Sequence, residues 1–577
     1  MNRRALLAAA AQVATAAACA PLGGGGPSGS AAASPGASPG ASPAAGRTDR
    51  IVAGLSLDER AGQLMNVSWH GTTITPALEA MIRIRKVGGV VIHAENFDDA
   101  SSLRALVNDL QRLARDAKTL PLLIAIDQEG GAVTRIGKGA TILPGNMALA
   151  ATPDPSAAVR AAIGILCRDM RAIGVNWDLA PVADVNNEPR NPIILNRSFG
   201  SDPRRVAALV DVAVRAFGAE AFLCCAKHFP GHGATTVDSH SGLPDLEIDR
   251  ARLDAVELVP FRAAIAAGVP AIMSAHIRVR ALDPTPDLPV TLSPAVMTGL
   301  LRDQLGFTGL LVTDDLEMGA LTKTRSQAEA GYQAFAAGAD LLLFRFDESA
   351  QLDAHRRLVA GMTGGTLTRA RVDASLRRIV ALKERYGILD AAEPSGPTGS
   401  AADRVTADLL ARQSITVLRA GGLPLRGRIL VASVGAPDIA TLADQPTLGA
   451  VLRDRLPAVT ARTITAAPSA SDIASLVAAA RDADTVVVGT ADTSANPQQA
   501  ALVTALAGAR PTVLVSLRSP YDILAAPAAH GYVCAYTGRE PTLRALADVL
   551  SGAVAPVGSL PVDLPGAYRI GDGLKKL

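Results

Sequence analysis

The chain has 577 residues, 49% hydrophobic and 19% charged, which supplies more than one apolar core and excludes wholesale disorder. Its 56 basic residues against 54 acidic ones leave a formal charge of +2, so nothing general draws it to nucleic acid or to an anionic membrane surface. Aromatics are 3%, with Trp69 and Trp177 the only tryptophans, few for the stacking platforms that grip long polysaccharides.

The first 19 residues read as an export address. Arg3 and Arg4 form a basic start, and residues 5–18 an apolar run interrupted by Gln12, short for a stable membrane span. Ala16-Ala17-Ala18-Cys19 resembles a lipobox, in which the cysteine becomes the lipidated first residue, although Ala16 stands where that box usually has Leu. The arginine pair also suits twin-arginine export. Residues 20–46 contain only Ala, Gly, Pro and Ser apart from Leu22. With regularly spaced prolines they make a semi-extended tether of up to ~80 Å, at about 3 Å per residue. The expectation is a cell-surface or periplasmic-side lipoprotein, otherwise a secreted protein, touching membrane only through its lipid.

From residue 47 to residue 390, short apolar runs alternate with helical patterns. Strands are expected over residues 64–69, 88–93, 122–127, 175–181, 224–229, 271–276, 309–314 and 340–344. Helical periodicity falls between them, as over 101–118, 203–220, 294–305 and 326–337. Eight strands with intervening helices at this length fit an α/β fold of the (β/α)8 TIM-type barrel class; an open doubly wound sheet is the competitor. The barrel is favoured because the unusual polar residues cluster at the C-terminal strand ends, where a barrel keeps its active site.

Residues 391–402 read as a linker. Residues 403–577 then form a second α/β domain with a mostly parallel sheet, from strands over 429–434, 485–489, 512–517 and 532–536. Helices such as 471–480 and 541–550 alternate with them, and no G-x-G-x-x-G or P-loop is present. Cys167, Cys224, Cys225 and Cys534 lack metal-type spacing and are expected to be small buried core residues.

The chemistry lies at the strand tips. Strand three ends in Asp127-Gln128-Glu129-Gly130-Gly131, followed by Arg135; carboxylates before paired glycines suit a loop that brings backbone close to a ligand. Asp184 follows strand four, with Asn196 and Arg197 further on. Strand five ends in Lys227-His228-Phe229-Pro230-Gly231-His232, and Asp238-Ser239-His240 follow on a segment, 231–242, whose Gly, Thr and Ser content predicts mobility. Three histidines this close invite a metal reading, but they lack the helical spacing of H-E-x-x-H. An Asp two residues before a His suits a carboxylate that orients imidazole and favours its protonated form. Strand seven ends in Asp314 and Asp315; neighbours on a strand face opposite ways, so one carboxylate points into the barrel mouth, and spacing does not say which.

These segments, KHFPGHGATTVDSH (227–240) with IDQEGG (126–131), NRSFG (196–200) and TDDLEMGA (313–320), resemble glycoside hydrolase family 3, nearest its β-N-acetylhexosaminidase branch. The resemblance spans about residues 55–388. The trailing domain is similar in a general way, through 517–522 and 559–562, to the second domain of longer members. The resemblance implies a retaining glycosidase without metal or organic cofactor, acting on terminal β-N-acetylglucosamine of peptidoglycan or chitin fragments. It assigns Asp314 as nucleophile, His240 as acid/base and Asp238 as its orienting partner. It further implies that Asp127, Arg135, Arg197, Lys227 and His228 hold the sugar. Ala132, Asn196 and Ala234 depart from the family pattern, where Arg, Gly and Asp or Asn are usual. Two alternatives remain: the same site using phosphate in place of water, which a histidine acid/base tolerates better than a carboxylate would, and a sugar-binding lipoprotein without catalysis.

The leader generates a test. N-terminal analysis and membrane fractionation are expected to find the mature protein starting at lipidated Cys19, and a chain lacking residues 1–46 is expected to be soluble and fully active. Unprocessed Met1 protein in the cytoplasm would overturn the assignment.

Overall fold

Eight apolar runs close on themselves as a parallel barrel: β1 (Met65–Val67), β2 (Gly89–Ile92), β3 (Leu123–Ile126), β4 (Trp177–Asp178), β5 (Leu223–Phe229), β6 (Ala271–Ser274), β7 (Leu310–Asp315) and β8 (Leu341–Phe344). The structure, a computed structural model, describes residues 46–435 and 445–577. The export signal, Cys19 and all of the tether but Gly46 lie outside the described residues. Closure is made by β1 pairing with β8, with Met65 opposite Leu342 and Val67 opposite Phe344. The strands read as unbroken apolar runs because the lumen covers one face and helices the other. Both tryptophans are fully buried, so they serve the core and not a sugar platform.

Helix starts follow side-chain capping. Asp99 caps Ala100–Asp116, Asp202 caps Pro203–Ala219 with proline in its first turn, and Ser326 caps Gln327–Ala337. The helix expected over 294–305 forms, but winds more widely as a π-helix at Ala295–Gln304, with Thr298 donating to the Ala337 carbonyl at 2.9 Å. The ladder of β4 is shorter than the expected 175–181, since Pro181 brings no N–H; pairing resumes at Val182 beside Lys227.

Beyond residues 391–400, which carry no regular element, a helix at Ala401–Ser414 leads into a six-stranded sheet. Its strands are β9 (Thr416–Ala420), β10 (Ile429–Val434), β11 (Val459–Ile464), β12 (Thr485–Thr490), β13 (Thr512–Ser516) and β14 (Gly531–Cys534), in the order β11-β10-β12-β13-β14-β9. All neighbours are parallel except β14 and β9. The two strands absent from the sequence reading, β9 and β11, are the edges: β11 is largely exposed, and β9 follows its helix almost without a turn.

Arg47–Leu577 forms a single compact unit. The second core takes in Met147, Ala148, Ala151 and Leu195 from barrel loops, and Gly399 N–H donates to the buried Asp169 carboxylate at 2.8 Å. The four described cysteines are free and buried, as expected.

At the foot of β8, fully buried Asp340 accepts from Arg302 Nη2 (2.5 Å), Ser375 Oγ (2.6 Å), the Leu311 N–H (3.0 Å) and Arg378 Nη1 (3.1 Å). Removing the carboxylate leaves its guanidinium partners facing one another. Asp340→Ala is therefore expected to lose about 3–5 kcal/mol of stability in urea denaturation, the usual cost of breaking a buried charge cluster from one side.

Candidate active site

One pocket at the C-terminal mouth of the barrel is lined by Asp127, Arg135, Arg197, Lys227, His228, His240 and Asp314. Asp127 follows β3, Lys227 and His228 belong to the last turn of pleat in β5, and Asp314 lies near the end of β7. Arg135 and Arg197 arrive on the loops after β3 and β4, and His240 on the loop after β5. Asp238 stands behind His240. All eight residues singled out within the barrel thus converge; Cys19 lies outside the described residues.

The floor of the pocket is an ion cluster. Lys227, 1% exposed, donates from Nζ to Asp127 Oδ1 at 2.7 Å and lies 2.7 Å from Glu129 Oε1. Arg197 grips the same Glu129 with two bonds, Nε to Oε2 at 3.0 Å and Nη2 to Oε1 at 2.8 Å. Arg135 Nη2 stands 3.5 Å from the other Asp127 oxygen. Burial alone would raise both carboxyl pKa values, but these cations outweigh it, drawing Glu129 down to about 2 and Asp127 well below the usual carboxylate range. Burial disfavours the charge on Lys227 as well; Asp127 and Glu129 overcome it and hold the ammonium protonated.

His228 is oriented from behind. Its Nδ1 bonds fully buried Asp184 at 2.7 Å, which turns Nε2 toward the pocket, 3.3 Å from Arg197 Nη2. The same Asp184 accepts the His232 N–H at 2.6 Å. His232 is wholly interior: burial pushes its pKa down to about 4, and its two nitrogens meet Thr235 (2.7 Å) and Ser239 (3.1 Å). With the Gly319 N–H on the His240 carbonyl (3.2 Å) and the Ala320 N–H on the Ser239 carbonyl (3.0 Å), these bonds tie the loop to the segment after β7. Composition counts apolar side chains; the anchors here are polar and backbone.

The reactive groups follow. His240 Nδ1 bonds Asp238 Oδ1 at 2.8 Å, and its own backbone N–H reaches the same oxygen at 2.9 Å. The Asp238 bond raises the imidazole pKa against partial desolvation, with help from the Asp314 charge. The side chain is about half exposed (52%), and Nε2 is left to face a ligand. Across the pocket, burial works against the Asp314 charge, but His228, His276 and the Asp315 N–H (2.8 Å) outweigh it and keep the carboxyl below its ordinary value. Asp315 turns away toward Arg345 (3.8 Å), and burial pushes it up to about 7. The geometry therefore separates the two neighbours that spacing left equal.

Four residues absent from the sequence assignment carry the rest: Glu129, Asp184, His232 and His276, whose Nε2 bonds the Asp315 carbonyl at 2.9 Å. Glu129 and Asp184 were visible as polar residues at strand ends, but their partners lie 68 and 44 positions away, where no local pattern reaches. Among the described residues no group of three or more His, Cys, Asp or Glu is arranged to hold a metal ion.

Comparison with known proteins places this pocket in context. Residues 56–382 match the model of the glycosyl hydrolase family 3 N-terminal domain. β-Hexosaminidase A of Pseudoalteromonas piscicida is 36% identical over 393 residues, covering 64% of this chain and 65% of that protein, so the chain spans just under two thirds of that relative. A Cellulomonas fimi β-N-acetylglucosaminidase/β-glucosidase is 32% identical over 549 residues, 89% of this chain and 94% of the relative. The solved structure of a glycoside hydrolase family 3 β-N-acetylglucosaminidase from Paenibacillus sp. str. FPU-7 superposes with a TM-score of 0.84 at 37% identity, covering 88% of this chain and 99% of that one. With the domain model spanning the whole barrel and a relative matching both domains, the chain belongs to glycosyl hydrolase family 3.

Proposed function

We propose that the protein is a retaining exo-β-N-acetylglucosaminidase that removes terminal β-N-acetylglucosamine from fragments of peptidoglycan or chitin. The observation that carries this reading is that an ionised carboxylate, Asp314, and a carboxylate-paired imidazole, His240, line one pocket floored by Asp127, Lys227 and Arg197. The names of the β-hexosaminidase and β-N-acetylglucosaminidase relatives support the choice of sugar.

In the first step, protonated His240 donates from Nε2 to the glycosidic oxygen while Asp314 attacks the anomeric carbon. The bond to the leaving sugar breaks, its electron pair goes to the departing oxygen, and a glycosyl ester forms on Asp314. In the second step, neutral His240 takes a proton from water, the hydroxide attacks the same carbon, and Asp314 leaves as carboxylate. Asp127 accepts sugar hydroxyl protons, Lys227, Arg197 and Arg135 donate to hydroxyl oxygens, and His228, held by Asp184, lines the sugar beside them. The cluster beneath them is already charged and hydrogen-bonded, so little reorganisation accompanies binding. The lipidated leader and its tether would present this enzyme at the outer face of the membrane, beside cell-wall fragments.

Asp314→Asn is expected to abolish turnover and leave sugar binding measurable, and a mechanism-based fluorosugar that keeps the 2-acetamido group is expected to label Asp314; labelling of Asp315 would overturn the assignment. His240→Ala is expected to slow cleavage of a disaccharide by ~10²–10⁴-fold, the range for losing a general acid, and an activated aryl glycoside far less, with azide speeding breakdown of the intermediate. Equal losses on good and poor leaving groups would make His240 a binding residue. Running the reactions with and without phosphate separates hydrolysis from phosphorolysis by whether free sugar or sugar 1-phosphate accumulates.

The pH profile gives an independent check. The first step needs Asp314 ionised and His240 protonated. Because Asp238 raises the His240 pKa, kcat/KM is expected to fall only above the ordinary histidine range. Asp238→Asn removes that support and is expected to move the alkaline limb to lower pH, leaving the acid limb in place.

A further inference from the structure

The loop that carries Glu129 is tied both from within the barrel and from the second domain. Gly130 and Gly131 both lie in the left-handed region, at φ +82° and +56°, and a Cβ on Gly131 would meet the Pro144 carbonyl at 2.8 Å. The two residues at the tip of the turn thus bring no side chains of their own. Its inward ties are the backbone bonds of Glu129 N–H to the Val133 carbonyl (3.0 Å) and Gly131 N–H to the Leu143 carbonyl (2.9 Å), with the Thr134 hydroxyl donating to the Gly131 carbonyl (3.0 Å). The Gln128 side chain adds bonds to the Ile136 carbonyl (3.0 Å) and to the Arg135 and Ile136 N–H groups (2.8 and 3.0 Å). The anchor from outside comes from the second domain. Arg539, 2% exposed and just beyond β14, donates from Nε to the Gly131 carbonyl at 2.9 Å and from Nη2 to the Ala132 carbonyl at 3.3 Å.

Three residues earlier the same segment grips the facing loop. The carbonyl of Tyr536 accepts from Asn196 Nδ2 at 2.6 Å, next to Arg197. Tyr536 is a non-glycine residue at φ +65°, and it is kept there by a buried ring whose hydroxyl donates to Thr416 at 2.9 Å. Further along that loop Arg518 donates to the Pro192 carbonyl (3.2 Å), and the Tyr521 hydroxyl to the Asn186 carbonyl (3.0 Å). One turn of the second domain therefore holds both loops whose side chains, Glu129 and Arg197, form the ion pair beneath the pocket.

We propose that Arg539 is a positioning residue for the sugar pocket: by capping the Gly131 and Ala132 carbonyls it fixes Glu129, and through Glu129 it sets the Arg197 guanidinium and the Lys227 ammonium at the sugar. The second domain thereby acts in substrate binding without contributing a side chain to the reacting atoms. The inference rests on the reading of the pocket given under the proposed function. Loosening these donors weakens sugar contacts made equally in ground and transition states, so the cost falls on KM and spares kcat.

The experiment compares full-length wild type, Arg539→Ala and Arg539→Lys on an aryl β-N-acetylglucosaminide, alongside hydrogen exchange of residues 128–135. Arg539→Ala is expected to raise KM by ~10–100-fold, the scale of an ångström-sized misplacement, with kcat within a few-fold and the alkaline pH limb unmoved. Exchange in 128–135 is expected to quicken while the barrel strands stay protected. Arg539→Lys, which keeps the charge and one donor but not the fork, is expected to fall between the two, and it decides the matter by the same readouts if the alanine variant does not fold. A KM within about two-fold of wild type in folded Arg539→Ala, or in Arg539→Lys where the alanine variant does not fold, or unchanged exchange in the loop, overturns the proposal. Wild type that is inactive on every β-N-acetylglucosaminide, with faster loop exchange in the variants, overturns the functional reading and upholds the clamp.

Discussion

A buried ammonium needs negative charge on more than one side, and in this molecule that need arranges everything around it. Lys227 projects from β5 with its stem in the barrel and its nitrogen between Asp127 and Glu129, both delivered by the run that leaves β3. Left unpaired at such burial it would cost several kcal/mol or shed its proton. Two carboxylates this close would repel each other without further cations, and Arg135 and Arg197 answer that from two different loops. The cluster therefore ties two loops of the barrel mouth, those after β3 and β4, to one charge on β5, and the arrangement that satisfies Lys227 also leaves its carboxylates and guanidinium groups facing a ligand.

Around this cluster, identical groups acquire different properties from their surroundings. Asp314 and Asp315 are consecutive, yet the first stays ionised beside two imidazoles and a backbone N–H, while burial carries the second up to about 7. His232 and His240 lie on one loop: the first is buried and neutral, an anchor between Thr235 and Ser239, and the second is half exposed and carboxylate-paired. Residue type thus defines what a site can do, and desolvation together with the nearest charge decides which copy does it.

The barrel was legible in the sequence because its signal is local: each strand is a short apolar run bounded by turn residues, and each helix carries its own cap. Strand β11 was not, since an edge strand is covered on fewer sides and its apolar content falls accordingly, and β9 was not because it follows its helix almost without a turn. The pocket residues were legible through dense motifs at strand ends. What stayed hidden were pairings across distance: Asp184 behind His228, Glu129 under Lys227, and the second-domain residues Tyr536 and Arg539 on loops 340 to 408 positions away. None of these has a spacing signature, because the fold alone brings the partners together. The choice between Asp314 and Asp315 is of the same kind, since it depends on a chain direction that alternation leaves undetermined.

On the proposed mechanism, the pairing of Asp314 with His240 would suit an imidazole to serve in this pocket as acid and then as base. The site already holds Asp127, Glu129, Asp184 and Asp314 ionised, and another carboxyl serving as acid would have to stay protonated through burial and like-charge repulsion. An imidazolium is instead favoured by that negative surrounding: the Asp314 charge raises the His240 pKa, and His240 in turn lowers that of Asp314. Each group thus supports the ionisation state the other needs before the first step. Once Asp314 is esterified its charge is gone, and the support it gave to the imidazolium goes with it. The His240 pKa then falls toward what Asp238 alone sustains, and the neutral ring is the better base for drawing a proton from water. On that mechanism the change in charge at Asp314 would itself favour each of the histidine's two roles in turn.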